Sequence, residues 1–387
     1  MSAGWIILTY RCLGVRVLLL LTASVLVLLI ALVLISGYVF GLYTFYDEIV
    51  VPENIRGNTV VVTGFALAPF TSLIKVSTVA SAISNSSGVE AVSYEVITMA
   101  EVKGEGVIVR GTDLSFLKKY VGYRVIEGED IRNNCYSCAW VGADLARDLG
   151  LRTGDVVVLY SVFSRTPFIF RVRGVLDIPE PYRYEMIVPY VVGQLIRGVS
   201  GDAASVAMII LKPGASADDV IAKVGVGGAE GRLSLLERVF IALRYAGKEV
   251  SASLYSHASE VFVERIGIPR GALVAVVLAF VFIASVGSYV IGLMPFIVGK
   301  SELILLHEQG VGWVKIKLAV LLLGAAVIAV SYAVAGVFAS KLAEVLNVCI
   351  LHHRIHLVSD ALINVAIPAF TLLFYGVGTA VADVNES

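Results

Sequence analysis

The sequence is short of charge. Asp, Glu, Lys and Arg make up 16% of its 387 residues, where a soluble domain carries about 25%. The apolar fraction is 58% and mean hydropathy is +0.86, an excess that asks for burial in lipid as well as in a core. Neither sign of charge prevails. Thirty basic residues face 31 acidic ones, for a net charge of −1, so the basic excess that would attract a nucleic acid is missing. Also missing is Gly-x-x-x-x-Gly-Lys-Ser/Thr, the phosphate-cradling loop of an ATPase. The glycines at Gly225, Gly227, Gly228 and Gly231 lack the Lys-Ser/Thr that must follow and read as a loop. No nucleophile–base pair or paired carboxylates stand out, and no enzyme chemistry or bound cofactor is expected of this chain.

What the sequence has is four long apolar runs, Val17–Phe40, Gly271–Val298, Leu318–Ser340 and Ala361–Ala382. Each reaches the roughly 20 residues needed to cross a hydrocarbon core about 30 Å thick. The first is too long for a cleaved signal sequence and reads as an anchor. Arg11 and Arg16 precede it, and Lys300, Lys315 and Lys317 lie between the second and third runs. By the basic-loop rule those segments face the cytoplasm. The expected order is a cytoplasmic segment (1–16), helix one (17–40), an extracytoplasmic domain (41–232), a helical stalk (233–270) and helix two (271–298). A cytoplasmic connection (299–316), helix three (317–340), an external loop (341–360), helix four (361–382) and a cytoplasmic tail (383–387) complete it. The fold class is thus a membrane protein of the cell membrane, with four transmembrane helices and an α+β domain inserted between the first two.

Within the inserted domain the pattern shortens. Thr59–Phe65, Val89–Val102, Val107–Arg110, Val156–Tyr160, Phe168–Leu176 and Ser205–Leu211 read as strands, and Leu73–Ser84, Leu145–Leu149 and Ala217–Val224 as helices. Two similar units, about 57–122 and 203–225, flank a β-rich insert at about 123–200. Cys135 and Cys138 form a C-x-x-C motif in this domain. Its context is strand-like, which favours a local disulfide or two free thiols over redox catalysis. His352, His353 and His356 lie in the loop after the third run. A helix would put His352 and His356 on one face, a metal-capable spacing, but a solvated loop is the plainer reading.

The passage Val141-Gly142-Ala143-Asp144-Leu145-Ala146-Arg147-Asp148-Leu149-Gly150-Leu151-Arg152-Thr153-Gly154-Asp155, followed by the strand Phe170–Leu176, resembles a motif of MacB-type periplasmic domains. The segment Lys300-Ser301-Glu302-Leu303-Ile304-Leu305-Leu306-His307-Glu308-Gln309-Gly310-Val311-Gly312-Trp313 resembles the cytoplasmic segment of FtsX/MacB-like ABC permeases. The resemblance implies a permease that couples ATP hydrolysis to movement of its outer domain. The ATP and Mg are then held by a separate cytoplasmic ABC-type ATPase. It also implies a second permease copy, as a homodimer or with a paralogue, a lipid surround and an extracytoplasmic partner. The contact with the ATPase falls on Lys300, Glu302, Leu303, Leu306, Glu308, Gly310, Gly312 and Trp313. Leu303, Ile304, Leu305 and Leu306 are expected as its apolar knobs. The competing reading is a membrane-anchored sensor or scaffold whose outer domain binds a partner.

Overall fold

The computed structural model describes residues 4–64, 66, 68–84, 86–224, 250–254 and 270–382. They form two compact units. One comprises Met1–Leu42, Gly271–Val348 and Ile355–Ser387, the other Tyr43–Arg270 with Cys349–Arg354.

The first unit is a helical bundle. Helix α1 runs unbroken from Gly4 to Val50, so the boundary between the units falls within it. Residues Val17, Leu21, Val25, Leu29, Leu32 and Phe40 share one face of α1 and are buried in the bundle core, the three-to-four spacing that α-helical geometry demands. The second apolar run folds as two helices, α6 (Arg270–Ser285) and α7 (Gly287–Val298), with a single-residue break at Val286. A short helix α8 (Lys300–Glu308) follows, then α9 (Trp313–Leu346) and α10 (Ala361–Val381). Among the described residues four helical stretches are long and apolar enough to cross a membrane: Val15–Val50, Leu273–Val298, Trp313–Leu346 and Ala361–Val381.

Small residues let these helices approach. A Cβ placed on Gly292 of α7 would lie 2.4 Å from the carbonyl oxygen of Tyr375 on α10, and one on Gly378 would lie 2.3 Å from that of Tyr289. Ser288, one turn before Gly292, donates to the Thr371 carbonyl at 2.9 Å. The Ser-x-x-x-Gly spacing is the small-residue device of membrane helix pairs. Tyr375 lays its ring on Gly324 of α9 and donates to the Val320 carbonyl at 3.1 Å. Asn364 of α10 accepts from Tyr332 of α9.

The second unit is α+β. Among the described residues its ten-stranded sheet begins with five strands: β1 (Thr59–Gly64), β2 (Val89–Val102), β3 (Glu105–Thr112), β4 (Arg124–Gly128) and β5 (Cys138–Gly142). Five follow: β6 (Val156–Ser161), β7 (Pro167–Asp177), β8 (Met186–Pro189), β9 (Val206–Leu211) and β10 (Val250–Leu254). The helices are α2 (Val76–Ile83), α3 (Ala143–Leu149), α4 (Tyr190–Arg197) and α5 (Ala217–Val224). Six strands close a ring in the order β2-β3-β8-β5-β7-β6 and back to β2. The β3–β8 and β5–β7 pairs are parallel, the others antiparallel. Val107, Val109, Val141, Leu159, Val172 and Met186 fill its interior.

The fourteen-residue β2 serves twice. Its second half, from Val96, belongs to the barrel, while its first half pairs with β9 in a four-stranded sheet ordered β10-β1-β9-β2. Helices α2 and α5 pack on that sheet around Val60, Ile74, Val79, Ile209 and Val220. The change of sheet thus falls inside one strand, and the barrel draws strands from both the expected flanking unit and the insert.

One expectation is corrected. Residues 250–254 of the predicted helical stalk form β10, which pairs with β1 from Val60↔Leu254 to Gly64↔Val250. A run such as Val250-Ser251-Ala252-Ser253-Leu254 satisfies either periodicity, and the open edge of β1 selects the strand. Residues 225–249 and 255–269, with the rest of that stalk and the glycine loop, lie outside the described residues, as does the tail from 383.

Candidate functional site

Helix α8 is fixed in the helical unit by two leucines. Leu303 is 0% and Leu306 1% exposed, three residues apart and so on one face. The expectation that both act as knobs for a partner is therefore corrected: they anchor the helix to its own chain. Leu305 stands 52% exposed, beside exposed Glu302, His307 and Glu308, with Ile304 and Lys300 half-buried. The end of α8 is set by backbone chemistry. Val311 N–H donates to the Leu306 carbonyl and Gly310 N–H to that of His307, the paired bonds of a Schellman stop. Gly310 sits at φ +92°, where a side chain would strain. Gly312 then precedes α9, and the Trp313 indole stacks on His307 at 4.7 Å between centroids. The result is a stiff elbow with a polar outer face and one bare leucine.

A second constellation lies wholly within the α+β unit. Arg110 on β3 is 0% exposed. Its guanidinium takes Glu185 in a two-pronged grip (2.5 and 2.7 Å) and Glu95 on β2 at 2.5 Å. Its remaining N–H groups reach the carbonyls of Ile49 and Val50. Those two belong to the last turn of α1 and have no partner within the helix. A cation there also meets the negative end of the helix dipole. Glu95 is completed by Thr112 (2.8 Å) and Tyr182 (2.6 Å).

Burial opposes the Arg110 charge, but Glu185 and then Glu95 outweigh it and hold the guanidinium well above its ordinary pKa. Burial likewise pushes the Glu185 carboxyl up, yet Arg110 and then His353 bring it below the usual range. Tyr182 is driven well above its usual value by burial, then by Glu95, and remains a hydroxyl donor. Sequence reasoning missed this cluster. Its signal was a charge at the middle of one strand, Glu95 in Val89–Val102, and another closing an apolar one, Arg110 in Val107–Arg110.

The remaining candidates separate. Cys135 and Cys138 form a disulfide, with Cα atoms 5.3 Å apart. His352 faces Asp148 at 3.4 Å and His353 faces Glu185 at 3.4 Å, while His356 belongs to the helical unit. Among the described residues no three His, Cys, Asp or Glu side chains gather as a metal site. In the Val141–Asp155 motif, Gly150 (φ +58°) stops α3 and Leu151 turns into the core. Asp155 then accepts from the Arg152 backbone at 2.9 Å. That motif is structural.

A search of curated proteins returned no significant match. Among solved structures, the periplasmic region of MacB from Actinobacillus actinomycetemcomitans aligns at 14% identity over 52% of this chain and 92% of that one, TM-score 0.33. A domain of a putative permease protein from Porphyromonas gingivalis aligns at 18% identity, over 52% and 92%, TM-score 0.30. The extracellular domain of the noncanonic ABC-type transporter YknZ from Gram-positive bacteria aligns at 15%, over 51% and 100%, TM-score 0.31. The model of the MacB-like periplasmic core domain matches residues 18–225, more than half the sequence. With four membrane-length helices around that match, this chain belongs to the MacB-like periplasmic core domain family, in an arrangement consistent with a MacB/FtsX-type permease.

Proposed function

We propose that the chain is the permease subunit of an ABC-type assembly that works by mechanical transmission. A separate cytoplasmic ATPase, which binds the ATP and Mg, docks on α8. Its closure displaces the helices and moves the α+β domain, to export or extract an extracytoplasmic substrate. Two copies of the permease pair with two ATPases.

The observation that carries the reading is the build of α8. Its inner leucines fix it to the bundle, and its outer face offers Glu302, Leu305 and Glu308 on a stiff elbow. A helix that only lay on lipid would have no need of so firm an attachment. The central parts of the four apolar runs hold no Asp, Glu, Lys or Arg, whereas a polar pathway through a bilayer is usually marked by such residues. Movement of helices therefore fits better than an aqueous channel.

The rival reading, a membrane-anchored scaffold, draws on Val156, Val158, Tyr160 and Ile169, which are exposed together on β6 and β7. The test is reconstitution with a partner P-loop ATPase, with spin labels on the two α+β domains. We expect their separation to change with ATP. Glu302→Lys and Gly310→Val should abolish that change while leaving insertion and fold intact. A separation indifferent to nucleotide, beside a substrate shown to pass between the helices, would overturn the reading.

A further inference from the structure

The connection between α9 and α10 contains a hairpin, Cys349–Ile350 paired with His353–Arg354. Its two turn residues, Leu351 and His352, sit at φ +51° and +67°. A two-residue hairpin turn of this kind takes positive φ at both central positions, and non-glycine residues hold it best where neighbours support them. The six residues of the hairpin belong to the α+β unit. Leu351 packs on Gly106 at the start of β3, where even an added Cβ would come within 3.0 Å of it. His352 meets Asp148 of α3.

His353 goes deepest. It is 4% exposed, edge-on to Phe45 in α1 at 6.3 Å and 5.3 Å from the ring of Tyr184. Both its ring nitrogens face oxygen: Nδ1 the Leu351 carbonyl at 3.0 Å, Nε2 the Glu185 carboxylate at 3.4 Å. The cluster it adjoins holds Glu95 and Glu185 around the guanidinium of Arg110, so the hairpin reaches the edge of that cluster through this one ring.

We propose that His353 is a positioning residue that seats this hairpin on the same buried cluster that grips the last turn of α1. The α+β domain is then driven from two places in the membrane helices at once, the end of helix one and the link between helices three and four. This rests on the permease reading for its transmission half; the seating half stands apart from it.

Cys349 on the hairpin is exposed and lies outside the Cys135–Cys138 disulfide, and it supplies a native reporter. In a full-length Cys12→Ser background, a spin label on Cys349 is paired with one on a Val156→Cys barrel site, in nanodiscs without ATPase. The expected result is a narrow distance distribution. It should widen roughly twofold in His353→Ala, as a released loop does, and narrow again in His353→Gln, which keeps a polar side chain of similar reach beside Glu185. With the ATPase added, the Cys349–barrel distance should hold through the cycle, and His353→Ala should lose at least half of the nucleotide-driven movement of the domain at unchanged basal hydrolysis. A broad distribution in the unaltered hairpin would overturn the seating. A narrow one unaffected by His353→Ala would overturn the role of His353. Failure of any nucleotide response in the unaltered chain would overturn transmission together with the permease reading, while the first measurement still decides the seat.

Discussion

Arg110 shows how much can hang on one side chain. Its donors are shared among two carboxylates and the carbonyl end of a helix, all of them buried. Arg110→Met removes the cation between Glu95 and Glu185 and leaves both buried. Breaking such a cluster costs about 3–5 kcal/mol, a large part of the stability of a domain this size. Denaturant unfolding of the solubilised chain should show a loss of that order, partly recovered when Glu185→Gln is added. An exposed counterpart behaves differently. Asp130 accepts from Lys118 at 2.8 Å and Tyr123 at 2.6 Å. Lys118 and then Tyr123 lower its pKa to about 2, from 3.8. The folded value is the depressed one, so the contribution is complete above pH 3.8 and is lost as pH falls towards 2. Asp130→Asn should melt slightly below the unaltered chain at pH 6. The gap should close as the pH is taken down through that window; a gap that persisted at the acid end would refute the assignment.

Among elements, those with local patterns were legible in the sequence. The four apolar runs became membrane-length helices, and β2 occupies Val89–Val102 as its alternation predicts. α5 occupies Ala217–Val224, and Gly150 and Gly310 end the helices they follow. The barrel was not legible, because its closure depends on the parallel β3–β8 pair, which joins Val109 to Met186, and no local periodicity records such a pairing. The Arg110 cluster was hidden for the same reason: Ile49, Glu95, Arg110, Glu185 and His353 are gathered from across the chain. α8 was found by its amphipathic look, but which leucines faced inward depended on the neighbouring helices. The contact between α7 and α10 gives the sharpest test at this scale. Gly292→Ala sets a methyl group 2.4 Å from a backbone oxygen, and the helices must part to admit it. Overpacking of this kind costs about 1–3 kcal/mol. We expect a lowered melting temperature for the solubilised chain and a greater loss for Gly292→Leu; an unchanged melt would mean that the two helices do not meet there.

For the whole molecule the testable quantity is orientation. By the basic-residue rule, Arg11 and Arg16 in the first part of α1 and Lys300, Lys315 and Lys317 around α8 predict that both ends face the cytoplasm. Tags at positions 2 and 310 should therefore be reached only from within the cell, and tags near 150 and 350 only from outside. Labelling of position 310 from outside alone would invert the topology and remove α8 from the reach of any ATPase. The hairpin seat has a further consequence, in the order of synthesis. The carbonyls of Ile49 and Val50 leave the ribosome early, Arg110 and Glu185 follow, and His353 comes only after α9. The α+β domain can collapse around its barrel while α6 to α9 are still being made, but its hairpin seat stays empty until they have emerged. Completion of that seat is thus tied to synthesis of α9, and a product cut short before it would show quality-control proteases an uncovered edge of the cluster.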